Sequence, residues 1–148
     1  MRHLSNKEKK QINEILWEGY SLDKKDEAIE DKDIILKNTD KYLIIIEKDK
    51  KGIKRVIPHL RTLDEGSFKS VYIDAGAIPY LIKGADIMRP GIHRIDEGFK
   101  KGDTILIKDL EHEKTLAIGE ATLSSEEMHT QEKGVSVKVL HYMGDNRF

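Results

Sequence analysis

The stretch Val71-Tyr72-Ile73-Asp74-Ala75-Gly76-Ala77-Ile78-Pro79-Tyr80-Leu81-Ile82-Lys83-Gly84-Ala85-Asp86-Ile87-Met88-Arg89-Pro90-Gly91-Ile92-His93-Arg94-Ile95-Asp96-Glu97-Gly98-Phe99-Lys100-Lys101-Gly102-Asp103 holds the densest structural punctuation in the chain. Val71 to Ile73 is a β-branched and aromatic run that reads as a strand. Ala75 to Lys83 reads as a short helix, with Pro79 in its first turn and Gly84 just past its end. Asp86 to Met88 and Ile92 to Ile95 read as short strands on either side of a Pro90-Gly91 turn. Gly84 and Gly91 have no Cβ, so the backbone can turn tightly there and a ligand can come close. Pro90 fixes its own φ and removes a donor. A Gly-rich concavity flanked by Lys83 and Arg89 therefore has the composition of a phosphate or ribose site, although such segments between strands are usually only turns.

Downstream, Thr104 to Lys108, Thr115 to Glu120 and Val135 to Tyr142 read as further strands. Ser124-Ser125-Glu126-Glu127 offers a capped helical turn before the last of them. Many short strands with Gly-containing turns predict a small barrel or sandwich. Upstream, Ser5-Asn6-Lys7-Glu8 fits a capping box, Ile12, Ile15 and Leu16 share one helical face, and Gly19 suits a helix end. Trp17 and Tyr20 are expected to help bury that face. Leu22 to Lys32 fits a second helical turn or a mobile loop equally well. Ile34 to Leu36, Tyr42 to Ile46 and Ile53 to Ile57 then read as strands, the last ended by Pro58. The turn-like Asp64-Glu65-Gly66-Ser67 marks a boundary. The expected fold class is α+β, with a helix-plus-antiparallel-sheet domain over 1–63 and a small barrel or sandwich over 64–148.

Composition narrows the function classes. The chain has 148 residues and a formal net charge of −1, and 36% of its side chains are charged. No stretch approaches the roughly 18 uncharged apolar residues of a membrane span. Without cysteine there is no disulfide, thiol nucleophile or Cys-based zinc site. Met1 to Ser5 lead straight into Lys and Glu, which reads as no signal peptide and predicts a cytoplasmic protein. Charge is uneven. Residues 48–61 hold Lys48, Lys50, Lys51, Lys54, Arg55 and Arg61 against Asp49 alone, and residues 83–101 hold Lys83, Arg89, Arg94, Lys100 and Lys101 against Asp86, Asp96 and Glu97. Two basic windows on a neutral chain can face a polyanion, though such windows are commonly just solvated.

Several pieces in the right order resemble the PUA domain, the RNA-binding module named for pseudouridine synthases and archaeosine transglycosylases. They are Asp74-Ala75-Gly76-Ala77, then Leu81-Ile82-Lys83-Gly84-Ala85-Asp86-Ile87-Met88 into Pro90-Gly91, then Phe99-Lys100-Lys101-Gly102-Asp103, and Leu116-Ala117-Ile118-Gly119-Glu120-Ala121. Glu132 to Asp145, with Ile57-Pro58-His59-Leu60-Arg61 at the junction, is similar to the malignant T-cell amplified sequence and ligatin family. That family pairs a small N-terminal domain with a PUA domain and acts on the small ribosomal subunit. Brevity and charge density suggest an archaeal member. The resemblance implies a mixed β-barrel with RNA-facing positions at Gly76, Lys83, Gly84, Ala85, Asp86, Met88, Arg89, Pro90 and Gly91, and Lys101 nearby. In that reading Lys83, Arg89 and Lys101 neutralise phosphates, the Gly-Ala backbone reads ribose or a base edge, and Asp86 orients a neighbouring cation or caps the loop. The basic hairpin residues Lys48, Lys50, Lys51, Lys54 and Arg55 are second candidates for RNA contact.

Other constellations are weaker. The histidines lack metal-ligand spacing, so no metal or cofactor is expected. Asp74 and Asp103 fit helix-start and turn roles better than a carboxylate pair, and Ser124-Ser125 fits a cap better than a nucleophile. Tyr42, Tyr72, Tyr80 and Phe99 sit among aliphatic residues and are expected in the core. The leading expectation is a non-catalytic protein that docks on structured RNA, rRNA or tRNA, with the small ribosomal subunit or an initiation-factor-like protein as partner. The alternatives are a stand-alone module recruiting a tRNA- or rRNA-modifying enzyme and, with no motif in its favour, a small-molecule enzyme.

Overall fold

Hydrogen bonds at the ends of each apolar run set the element boundaries. The computed structural model describes residues 1–148. Its contacts divide the chain into two compact units, residues 1–67 with Arg147, and residues 68–146 with Phe148.

In the first unit, β1 (Arg2–His3) is followed by α1 (Asn6–Asn13), β2 (Ala28–Asp31), β3 (Ile34–Lys37), β4 (Lys41–Asp49) and β5 (Gly52–Pro58). The five strands form an antiparallel sheet in chain order. The capping box is complete: Ser5 Oγ accepts the Glu8 N–H at 3.2 Å, and Glu8 Oε1 accepts the Ser5 N–H at 3.1 Å. The helix is shorter than expected. It stops at Asn13 because that side chain engages both backbone groups of Leu22, accepting its N–H at 2.7 Å and donating to its carbonyl at 2.5 Å. Ile12 is buried, while Ile15, beyond the helix end, stays exposed. Gly19 does not end a helix; it turns at φ +87°, where an added Cβ would lie 2.7 Å from Asp64 Oδ2.

The charged segment from Leu22 to Lys32 is neither a helical turn nor wholly a loop. Leu22 is buried and Ala28–Asp31 forms β2. The tight turn into β3 is made by Lys32 and Asp33 at φ 50° and 68°, the left-handed pair that hairpins favour, and Asn38 and Thr39 repeat it between β3 and β4. Ile35, Ile44, Ile45 and Ile57 are fully buried at the centre of this unit.

The second unit comprises β6 (Ser70–Ile73), α2 (Ile78–Leu81), β7 (Ile87–Met88), β8 (Ile92–Ile95), β9 (Thr104–Asp109), β10 (Thr115–Ala121), α3 (Ser125–Thr130) and β11 (Val135–Tyr142). Its strands run in the order β7-β11-β10-β9-β6-β8, all neighbours antiparallel except β6 and β9. The two edge strands, β7 and β8, are consecutive in the chain and joined only by the 3-10 turn Arg89–Gly91, so the sheet curls into a nearly closed barrel. Val71, Ile73, Ile105, Ile107, Ala117 and Val137 fill its interior. α3 carries the second complete capping box, between Ser124 and Glu127. α2 is a single turn rather than the nine residues expected, because the chain leaves the helix at Ile82 to make the Gly84 turn. No helix is long and apolar enough to cross a membrane.

Candidate nucleic-acid interface

The quoted stretch builds one wall of a groove of about 660 Å³ in the second unit. Asp74 starts it: its Oδ1 accepts the Ala77 N–H at 3.0 Å, and its own N–H reaches the Gly91 carbonyl at 3.2 Å. The Asp74 loop is thus tied to the turn that carries Pro90. An added Cβ at Gly91 would lie 3.3 Å from the Ala77 Cβ, so the missing side chain lets these two segments approach. Gly84 needs its residue type more directly. Its φ is +87°, and a Cβ would meet the Tyr142 ring at 3.3 Å. That turn sends the chain from α2 into β7, whose Met88 pairs with Val135 of β11 and closes the far wall.

The lining is Asp74, Gly76, Ala77, Tyr80, Ala85, Asp86, Ile87, Met88, Pro90, Gly91 and Val135. Its apolar side chains are unusually open: Tyr80 is 68% exposed, Met88 49% and Val135 38%. With the neighbouring Ile82, they make up all the exposed large hydrophobic residues of the second unit. Two acids and no base line the groove. Asp74 Oδ2 is 2.7 Å from His93 Nε2, and that hydrogen bond is the main reason its carboxyl titrates below the usual carboxylate range. Asp86 Oδ1 accepts the Val139 N–H at 3.0 Å, so it pins β11 and does not orient Arg89 or Lys83.

The expected residues divide. Gly76, Ala85, Asp86, Met88, Pro90 and Gly91 line the groove together. Lys83 and Gly84 lie in the turn beside it, Lys83 exposed. Arg89 is half-buried: its Nε donates to the Met128 carbonyl at 2.7 Å and its Nη1 to the Ile92 carbonyl at 2.8 Å, which braces the turn between β7 and β8. Lys101 sits in the turn before β9, outside the lining. Tyr72 and Phe99 are buried as expected; Tyr80 is not, and it stands on the groove wall. A single-turn helix ending in a Gly turn presents its outer face to solvent, a signal that aliphatic neighbours concealed. Val135 was overlooked because it reaches the site only through strand pairing.

In the first unit, the basic β4–β5 hairpin is partly neutralised. Lys48 pairs with Glu30 and Arg55 with Glu47, each at 2.9 Å, while Lys50, Lys51 and Lys54 are exposed.

A curled six-stranded mixed sheet with a Gly-bounded groove beside its closing turn defines the class, and the PUA domain matches residues 69–143. The chain belongs to the PUA domain family. It is 40% identical over 116 residues to an uncharacterized protein of Methanocaldococcus jannaschii, covering 78% of this chain and 69% of that one. It is 33% identical over 98 residues to translation machinery-associated protein 20 of Saccharomyces cerevisiae, covering 61% of this chain and 54% of the yeast protein. The crystal structure of a hypothetical protein from Pyrococcus horikoshii superposes with a TM-score of 0.72 at 34% identity, over 98% of this chain and 95% of that one.

Proposed function

We propose that this protein is a non-catalytic, cytoplasmic RNA-binding protein that docks on structured RNA, small-subunit rRNA or tRNA, during translation initiation or ribosome recycling. Residues 64–148 act as the RNA-binding domain and residues 1–63 as its accessory domain, with the small ribosomal subunit or an initiation-factor-like protein as partner. The carrying observation is the open apolar groove on the PUA domain, walled by Tyr80, Met88 and Val135 and floored by Gly-turn backbone. RNA is read mainly at unpaired bases that stack on aromatic faces and bond with backbone at close range, and this lining suits that mode. Lys83, exposed beside the groove, supplies a phosphate contact. Arg89 holds the closing turn and acts as a positioning residue. The name of the yeast relative supports the assignment to translation.

Fluorescence titration with tRNA and with purified small subunits tests this reading. Tyr80→Ala removes a stacking face worth about 1–3 kcal/mol, so affinity falls roughly 5- to 150-fold. Lys83→Ala lowers the log–log salt slope by about 0.7–0.9. Unchanged affinity in both variants rejects the groove as the RNA site.

A further inference from the structure

Apart from Ile82 and the groove residues of the second unit, the exposed large hydrophobic residues are Met1, Ile15 and Ile53, all in the first unit. Ile15 and Ile53 share a second groove of about 340 Å³, between α1 and the β4–β5 hairpin. Its floor is aliphatic: Leu4, Ile12 and Ile46 are buried beneath the two open isoleucines. Lys48 and Ile53 are cross-strand partners, and β5 is the edge of its sheet, so one wall ends in unpaired strand backbone.

Charge at the rim is the second observation. Both acids there are already engaged. Arg2 spans them, donating to Glu8 Oε2 at 2.8 Å and to Glu30 Oε1 at 2.9 Å, and Lys48 adds a 2.9 Å contact to Glu30. These bonds lower the titration of both carboxyls, with the Ser5 N–H contributing most at Glu8 and Lys48 contributing most at Glu30. Lys51 on the lining, with exposed Lys50 beside it in the hairpin turn, remains unmatched. The lining has no aromatic residue, hence no face on which a base could stack, whereas branched aliphatic floors fit aliphatic side chains.

We infer that this groove is a docking site for an acidic segment of a partner protein that inserts aliphatic side chains against Ile15 and Ile53 and sets its carboxylates against Lys51 and the neighbouring Lys50. The site lies in the first unit and is independent of the RNA groove, so failure of either assignment leaves the other standing.

The test uses the isotope-labelled full chain and three short synthetic amphipathic peptides. One carries Leu anchors with Glu at its polar positions, one has Lys in place of Glu, and one has Ser in place of Leu. Saturable amide shifts confined to residues 11–15 and 46–54 are expected with the Leu/Glu peptide, at about tenfold higher affinity than with either control. Ile53→Ser, at a position already 38% exposed, weakens that binding by about fivefold. Lys51→Glu weakens it by a few-fold, more so at low salt. Equal affinity for the Leu/Lys peptide, the absence of saturable shifts at these residues, or the same shifts on adding an oligoadenylate would overturn the inference. Both variants alter exposed side chains, and melting curves matching the wild type verify that the fold is intact.

Discussion

Gly119 offers the sharpest test of the barrel packing. It lies in β10 at a shift of register against β11, and it is buried. A Cβ built there would sit 2.3 Å from Val137 Cγ1, 2.9 Å from the Lys138 carbonyl and 3.3 Å from Ile107 Cδ1. One of these neighbours is backbone, and Val137 and Ile107 are completely buried, so none can swing aside. Overpacking a core by small increments costs about 1–3 kcal/mol, and contacts this short put Gly119→Ala at about 3 kcal/mol. For a unit of this size each kcal/mol lowers the melting point by roughly 4–8 °C, which gives a fall of about 12–24 °C by calorimetry. Adding Val137→Ala removes the nearest obstacle but leaves the carbonyl. The double variant is therefore less destabilised than the sum of the singles, by about 1 kcal/mol. A Gly119→Ala melting point within about 2 °C of wild type, or strictly additive singles, would refute the reasoning.

Three further outcomes follow from named contacts. Ser124→Ala breaks the cap on α3 and costs about 1 kcal/mol in thermal or denaturant unfolding, with Ser124→Asp close to wild type. Arg89→Ala frees the Met128 and Ile92 carbonyls and costs about 2 kcal/mol; Arg89→Lys restores only part of that, since one ammonium replaces a fork of donors. His112 titrates above the ordinary imidazole value of 6.5, chiefly through its hydrogen bond to Asp109. Its folded-state pKa being raised, the stabilisation is complete below the unfolded pKa and disappears as pH climbs through the folded one. NMR titration of the ring should show the raised midpoint, and Asp109→Asn should bring it down.

Legibility of the sequence differed by kind of signal. Both capping boxes could be read because each bond joins residues three apart, and the β-branched runs located most of the strands. β2 escaped because Ala28-Ile29-Glu30-Asp31 carries little apolar pattern and its turn uses Lys32 and Asp33 in place of Asn-Gly. The end of α1 escaped because Asn13 pairs with Leu22, a partner that helical periodicity cannot indicate. Within the candidate site, the Gly and Pro positions were visible since backbone geometry demands those residue types. The fate of each charge was not. Arg89 and Lys83 look alike in sequence, yet one guanidinium meets two carbonyls while the ammonium points to solvent-exposed surface. Tyr80 was misassigned for the same reason: whether a tyrosine among aliphatics faces inward depends on a helix only one turn long.

The pairing of β7 with β11 has a temporal side. Tyr80 and Met88 leave the ribosome well before Val135, which forms the opposite side of the same cleft. A nascent chain that has not yet extruded residues 135–137 has the wall built by residues 74–91 but lacks the strand that pairs with β7. The cleft is therefore complete only late in translation, once β11 has emerged to pair with β7.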